Sequence, residues 1–358
     1  MSSQGEQRHI FTGNIFIFYS FDVGDEINLE KTENLESILT RPLQLAKYFK
    51  TYHTPLSIDL PHPHSSSKCI ATKLHSFGAI SLLYQIPFED TLENLKQQLA
   101  ELDTEFQEQS VTDAHVVFKN IKKHIRHPRF FHLRTSYVIV QVDQQLTLIT
   151  PQILKDQYGG TICSLLRFET EILSEYQKNE IIADARGYFR GDLIIVDTHA
   201  TFMYDDEYEE TIDLFEFVNL QQLELQYYDR LLDQQLYAVY HMESIKVPMI
   251  SYLPFVNAWV RDPVRELGKM KVDISAIIER LESSIKLAGE PSISQIYSLL
   301  SDKMQLPNWK TSINNKLEII TDIHMIYQHN TERIREDILT TLIIILILIE
   351  LLVGILKH

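Results

Sequence analysis

A basic segment is the part of this sequence whose residue types could most directly do chemistry. Residues 119–134 contain six lysines or arginines, three histidines, two phenylalanines and no acid, in a chain with a formal net charge of −16. Lysine and arginine pair with phosphates and aromatic rings stack on unpaired bases, while the same cations could rest on anionic headgroups. A solvated helix end whose phenylalanines enter the core is the alternative. We predict a polyanion-binding site of Lys119, Lys122, Lys123, Arg126, Arg129 and Arg134.

Motifs of catalysis and cofactor binding are missing from the sequence. It contains no GxGxxG, GxxxxGK[ST], HExxH, GxSxG or CxxC pattern, and these are the patterns that carry a physical mechanism for nucleotide, metal, nucleophile or redox chemistry. We therefore predict no catalytic residues, no metal and no cofactor. Because a missing motif does not exclude an enzyme, a cleft site in the α/β domain is kept as an alternative.

A long apolar helix with isolated polar residues is predicted from about Glu209 to Met242. Polar residues among its dense apolar positions include Asn219, Gln222, Glu224, Asp229, Arg230 and Asp233. A buried polar side chain needs a hydrogen-bonding partner, and here we expect one from another helix. These residues therefore predict contacts that register a helical bundle.

The elements before that helix alternate between strands and helices. Apolar runs predict strands at 14–21, 78–86 and 137–142 and a hairpin of 192–197 with 201–204. Asp90 is predicted to cap a helix, a second helix is expected at about 112–125, and Pro151 is expected to open a short helix that Gly159 and Gly160 close. This order predicts an α/β or α+β domain.

The fold class predicted for the whole chain is α+β. We expect an N-terminal mixed α/β domain at residues 1–205, a helical stalk or bundle at 206–336 and one transmembrane helix at 337–358. A helix following Asp273 is expected to end at Gly289, and the last helix is expected to start near Asn308 and to run unbroken into the membrane.

The run from Ile338 to Leu356 carries the prediction of a membrane anchor. It is nearly apolar over 19 residues, or about 28 Å as a helix, which is close to the thickness of a bilayer core. The competing interpretation is a buried core helix or an oligomer seam, but such helices rarely run this long without a polar face. Glu350 lies inside the run, where a carboxylate is costly, and we predict that it makes an intramembrane helix–helix contact.

Composition points to the compartment of the remaining chain. Cys69 and Cys163 are too few for a disulfide framework, which fits a reducing compartment, and the polar N-terminus is unlike a signal peptide. We therefore expect a tail-anchored membrane protein with the bulk of its 358 residues in the cytoplasm. A homo-oligomer is expected, because the apolar helices offer more face than one short bundle covers.

Three segments resemble the RMD/RMND (required for meiotic nuclear division) family of membrane proteins, as a distant bacterial-type relative. They are the aromatic-glycine strand 77–83, the start of the long helices at 223–232, and the closing helix at 315–318 and 333–350 with its late acidic residue. The resemblance implies an α/β domain, long helices, one C-terminal membrane helix and a membrane-bound supporting role without catalysis. The predicted function is accordingly a non-enzymatic membrane scaffold, with a membrane tether for RNA or ribosomes through residues 119–134 as the alternative.

Overall fold

The structure is a computed structural model that forms two compact units. The first comprises Met1–Tyr227 with Arg280–Asn308, and the second comprises Tyr228–Glu279 with Trp309–His358. The described residues are 9–35, 40–41, 55–60, 68–130, 134–145, 148–187, 191–241, 268, 271–272, 274–276, 279 and 291–356. The helix predicted after Asp273 lies mostly outside them.

An eight-stranded sheet forms the centre of the first unit. Its strands are β1 (Phe11–Asp22), β3 (Thr40–Arg41), β4 (Leu56–Ile58), β5 (Cys69–His75), β6 (Ala79–Asp90), β8 (Arg134–Val142), β9 (Leu193–Val196) and β10 (Ala200–Tyr204). The order is β3-β4-β5-β6-β1-β8-β10-β9, with β8 and β10 parallel and the other pairs antiparallel. Two short strands, β2 (Glu26–Ile27) and β7 (Ile125–Arg126), pair separately.

Strand β1 has one face toward each layer of helices. Ile17, Tyr19 and Phe21 belong to the large core, which also contains Leu95 and Leu99. Ser20 and Asp22 alternate with them and therefore point to the opposite face. A central strand covered on both sides reads as a nearly continuous apolar run, which is why residues 14–21 were recognisable as a strand.

Helices connect and follow the strands along the chain. They are α1 (Leu29–Glu33), α2 (Leu92–Ile121), α3 (Pro151–Gln157), α4 (Gly159–Leu166), α5 (Glu175–Ala183), α6 (Glu209–His241), α7 (Pro291–Lys303) and α8 (Leu306–Leu356), with a 3₁₀ turn at Lys122–His124. The predicted α+β class is confirmed, as are the hairpin of β9 with β10 and the long helix α6.

Three local predictions about the helices were wrong. Helix α2 is one helix of 30 residues rather than two, and its N-cap is Thr91, whose hydroxyl accepts from the Asn94 backbone N–H at 3.3 Å. Asp90 is the last residue of β6 and accepts from Thr91 N at 2.7 Å. Gly159 begins α4 instead of closing α3, because Tyr158 keeps a right-handed helical conformation and its carbonyl accepts from Ile162 N.

In the second unit, α6 and α8 are joined by charged side chains. Lys316 Nζ lies 2.7 Å from Asp229 Oδ1 and 2.6 Å from Asp233 Oδ1, and Ser312 Oγ donates to Asp229 at 2.6 Å. For Asp229 the predicted partner from another helix is therefore present. The far end of α8, Glu332–Leu356, is long and apolar enough to cross a membrane, and every side chain from Leu339 to Leu356 is exposed.

The domain division predicted at residues 205 and 336 stays a prediction. Strand β10 ends at Tyr204 and α6 begins at Glu209. The first compact unit continues along α6 to Tyr227.

Candidate functional site

Four cations of the basic segment lie together on the surface of the first unit. Lys119 is in the last turn of α2, Lys122 and Lys123 are in the 3₁₀ turn, and Arg126 is in β7, and all four are exposed. Cations are favoured at the C-terminal end of a helix by its macrodipole. The Arg126 guanidinium is 3.8 Å from the Glu26 carboxylate. We call Lys119, Lys122, Lys123 and Arg126 the basic surface.

The other two predicted site residues are engaged elsewhere. Arg129 donates from Nε and Nη2 to the two carboxylate oxygens of Asp22, each at 3.2 Å, and from Nη1 to Asp25. Arg134 donates to the side-chain oxygen of Gln107 at 3.2 Å. The structure thus brings four of the six predicted residues together, and polyanion binding by them stays a prediction.

The aromatic residues of the segment contribute to packing where the structure describes them. The Phe130 ring stacks on His115 at 3.9 Å between centroids and lies 5.8 Å from Phe21. Phe118, which directly precedes the segment, is buried at the end of α2. Phe131 and His132 lie outside the described residues. Neither Phe118 nor Phe130 is placed to stack on a nucleic-acid base.

A buried group of charges lies where β1 ends. We call Asp22, Asp25, Glu224 and Arg129 the acid cluster. Asp22 ends β1 with no exposed side-chain surface, and its carboxylate accepts from Gly24 N at 3.1 Å. The close turn depends on Gly78 (φ 98°), because a Cβ there would lie 1.9 Å from the Gly24 carbonyl oxygen.

Burial acts to raise the pKa values of Asp22 and Asp25, and Arg129 acts to lower them. Burial raises the pKa of Asp22 to about 6, against the attraction of Arg129. Partial burial also acts to raise the pKa of Asp25, but hydrogen bonds from Arg129 and His127 outweigh it and hold that pKa below its ordinary value. Asp22 is therefore the more readily protonated of the two.

Glu224 enters the acid cluster from α6. Its side chain is only 1% exposed, and Oε1 has no hydrogen-bond partner among the described residues. Burial raises the pKa of Glu224 well above its ordinary value, and the Asp22 carboxylate adds to the shift. Glu224 was predicted to face another helix, but the charges that act on it are Asp22, Asp25 and Arg129, around the end of β1.

A second buried ion-pair group joins α6 to the same face of the sheet. Lys73 Nζ lies 2.5 Å from both Asp213 Oδ1 and Glu216 Oε2. Burial acts to lower the pKa of Lys73, but the two carboxylates outweigh it and raise that pKa. Burial, and then the Lys73 charge, lower the pKa of His75 to about 3, so His75 is neutral. This group fixes the position of α6 and leaves its cation fully paired.

Sequence reasoning missed both buried groups, although some signals were present. Asp22 is a charged residue at the end of an apolar run, Lys73 interrupts an apolar strand, and Glu224 interrupts an apolar helix. None of these signals identifies the partner, because Asp22 and Arg129 are 107 positions apart.

The described residues contain no group of three or more His, Cys, Asp or Glu side chains placed to hold a metal ion. In the acid cluster the carboxylates of Asp22 and Asp25 both accept hydrogen bonds from Arg129. Glu350, the predicted intramembrane contact, is exposed on α8, and its helix–helix contact stays a prediction.

Comparison with known proteins gives a family but no activity. A family model described as "Uncharacterized protein MJ0711, N-terminal domain" matches residues 12–210. The protein called "Uncharacterized protein MJ0711" from Methanocaldococcus jannaschii is 24% identical over 199 residues, which are 55% of this chain and 59% of that relative. The chain thus matches less than two thirds of the relative's length. No solved structure matches significantly.

Proposed function

This chain belongs to the family of the MJ0711 N-terminal domain, and we propose that it is a membrane-anchored scaffold that presents this domain in the cytoplasm. The anchor is the end of α8. The scaffold role is non-enzymatic. The resemblance of residues 77–83, 223–232, 315–318 and 333–350 to the RMD/RMND family supports the same role, and we propose a distant relationship to that family.

The single observation that carries the proposal is the exposed apolar end of α8. Leucine and isoleucine side chains point outward on all sides from Leu339 to Leu356, and Leu356 is 82% exposed. Burying such side chains contributes about 1.5–3 kcal/mol each, so a helix of this kind is strongly favoured in lipid over water. The window of apolar residues also reaches the length that a bilayer requires.

Membrane extraction tests the anchor. Full-length protein in native membranes should resist carbonate and high salt and should be released by detergent, because its apolar span is in the hydrocarbon core. A chain that ends at Arg335 should be soluble. A full-length control with Ile345→Arg and Leu348→Arg should lose membrane retention, because each central arginine costs about 2.5–3.5 kcal/mol on insertion. Release of the unaltered protein by carbonate alone would contradict the anchor.

A second candidate function is a tether for RNA, ribosomes or anionic lipid through the basic surface. Its support is the exposure of Lys119, Lys122, Lys123 and Arg126 in a chain of net charge −16. The packing of Phe130 against His115 removes one of the two phenylalanines of residues 119–134 as a candidate for base stacking. Contacts to phosphate groups rather than bases are therefore the better-supported form of this function.

An enzyme with a cleft site in the first unit is the third proposal. Its support is limited to the perturbed carboxylates of the acid cluster, since perturbed groups gather at functional sites but also in structural networks. A nucleotide or metal ion that co-purifies with the protein would favour it over the scaffold.

A further inference from the structure

We propose that Glu224 is a neutral carboxylic acid at pH 7, and that its retained proton allows α6 to lie against the end of β1. The proposal concerns the first unit alone and does not depend on the membrane anchor. In this proposal the acid cluster binds a proton, and that proton controls whether α6 packs against the end of β1.

The placement of Glu224 follows from a hydrogen bond before it on α6 and a cation–π contact after it. Asn219 Nδ2 donates to Ser20 Oγ at 3.0 Å, which sets α6 over β1. Asp22 is two residues after Ser20 and therefore lies on the same face of the strand. Tyr227, three residues after Glu224 and on the same side of the helix, has its ring 4.5 Å from the Arg129 guanidinium carbon. Glu224 is thus held between the Ser20 contact and the Arg129 contact.

Within the described ranges, the charged groups that act on Glu224 are two carboxylates and one guanidinium, so no cation is left over for a second buried anion. Asp22 and Asp25 come from β1 and the turn after it, and Arg129 from the loop after β7 donates to both. His127 Nδ1 is 2.7 Å from Asp25 and its side chain is 72% exposed.

In the described part of the chain, the cation on this face of the sheet two strands away from β1, on β5, is already paired. Lys73 is bound to Asp213 and Glu216, and His75 is neutral. Three carboxylates therefore share one guanidinium, and only two of them contact it.

A proton on Glu224 resolves this imbalance. An ionised carboxylate buried without a cation or hydrogen-bond donor is far less stable than its neutral form, and Glu224 Oε1 has no partner among the described residues. The Asp22 carboxylate remains ionised against Arg129. Since the two acids are close enough to interact, they titrate as a pair with macroscopic pKa values.

The sign of the pH dependence follows from the raised pKa. The folded protein binds this proton more tightly than the unfolded chain does, so its stabilising effect is complete at acidic pH. It is lost as the pH rises through the folded-state pKa of Glu224, which lies well above 4.5. Ionisation of Glu224 then places a second anion beside Asp22, which disfavours the packing of α6 against β1.

Infrared spectroscopy of the full-length protein in detergent and ²H₂O tests the proton directly. At pH 7 the protein should show a carbonyl band of protonated carboxylic acid, and Glu224→Gln should remove intensity from it. Glu101→Gln, an exposed carboxylate on α2, should leave it unchanged. Alkaline pH should lower the thermal midpoint of the wild type more than that of Glu224→Gln.

Two results would overturn the proposal. The first is an infrared result: either the wild type has no carbonyl band of a protonated carboxylic acid, or a folded Glu224→Gln variant shows that band with the same intensity as the wild type. The other is failure of both Glu224→Gln and Glu224→Met to fold, because both side chains are uncharged and of similar size, and their failure would mean that the anion itself is required.

Discussion

Arg129 joins the end of β1, the turn after it and α6 through one side chain. Its guanidinium donates to Asp22 and Asp25 and lies over the ring of Tyr227. A planar guanidinium suits this arrangement, since it can serve two carboxylates and stack on a ring at the same time. At the residue scale its role is to hold the acid cluster, although its neighbours in the sequence belong to an exposed surface.

Replacing Arg129 should destabilise the protein. Arg129→Gln leaves Asp22 buried without its cation, and breaking such a pair costs about 3–5 kcal/mol, less any part recovered when Asp22 takes up a proton. The thermal unfolding midpoint in detergent should fall clearly. The matched control is Arg126→Gln, because the Arg126 side chain is 63% exposed, and its effect on the free energy of unfolding should stay within about 0.5 kcal/mol. If the two substitutions lowered the thermal midpoint equally, the result would contradict a structural role for Arg129.

The basic surface is a property of three consecutive short elements. The last turn of α2, the 3₁₀ turn and β7 place four cations next to one another without burying any of them. Arg129 and Arg134 follow in the sequence but turn inward. At the element scale, the surface available to a partner therefore ends at Arg126.

Retention on polyanions should depend on the basic surface alone. Replacing Lys119, Lys122, Lys123 and Arg126 with Gln should abolish binding to RNA or anionic liposomes at low salt. The binding should weaken steeply with salt, because it depends on counterion release. The fold should survive, since exposed substitutions cost little. If the wild type is not retained, or if the quadruple variant binds equally well, these cations are only a solvated surface.

At the scale of the whole molecule, the described residues include a continuous run of exposed apolar side chains at the end of α8. Glu350 is the one acidic residue between Ile338 and Leu356. A carboxylate inside a membrane is costly and normally faces another helix, where a polar partner can be found. Association of several chains through this helix would provide that partner.

Light scattering in detergent tests association through the tail. The full-length protein should have the mass of a dimer or larger oligomer, and Glu350→Leu should change that mass. Glu336→Leu makes the same substitution before the apolar run and should leave the mass unchanged. A strictly monomeric wild type would contradict self-association.

Much of the fold was predictable because its signals are local. Apolar runs identified β1, β6 and β8, the turn between β9 and β10 identified a hairpin, and dense apolar spacing identified α6. Helix ends were less predictable. The cap at Thr91 differs from the expected Asp90 by one position, because both residues have side chains that can accept a backbone hydrogen bond.

The sequence by itself determined the α+β class, the strands β1, β6 and β8, the hairpin of β9 with β10, the helix α6 and the presence of one helix long and apolar enough to span a membrane. These depend on periodicity and composition over short stretches of chain. Only the tertiary structure decided that Arg129 belongs with Asp22 and Asp25, and that Glu224 lies beside them. The physical reason is that burial and charge pairing act through space: they depend on which residues the sheet and α6 bring together, and neighbours in the sequence do not contain that information.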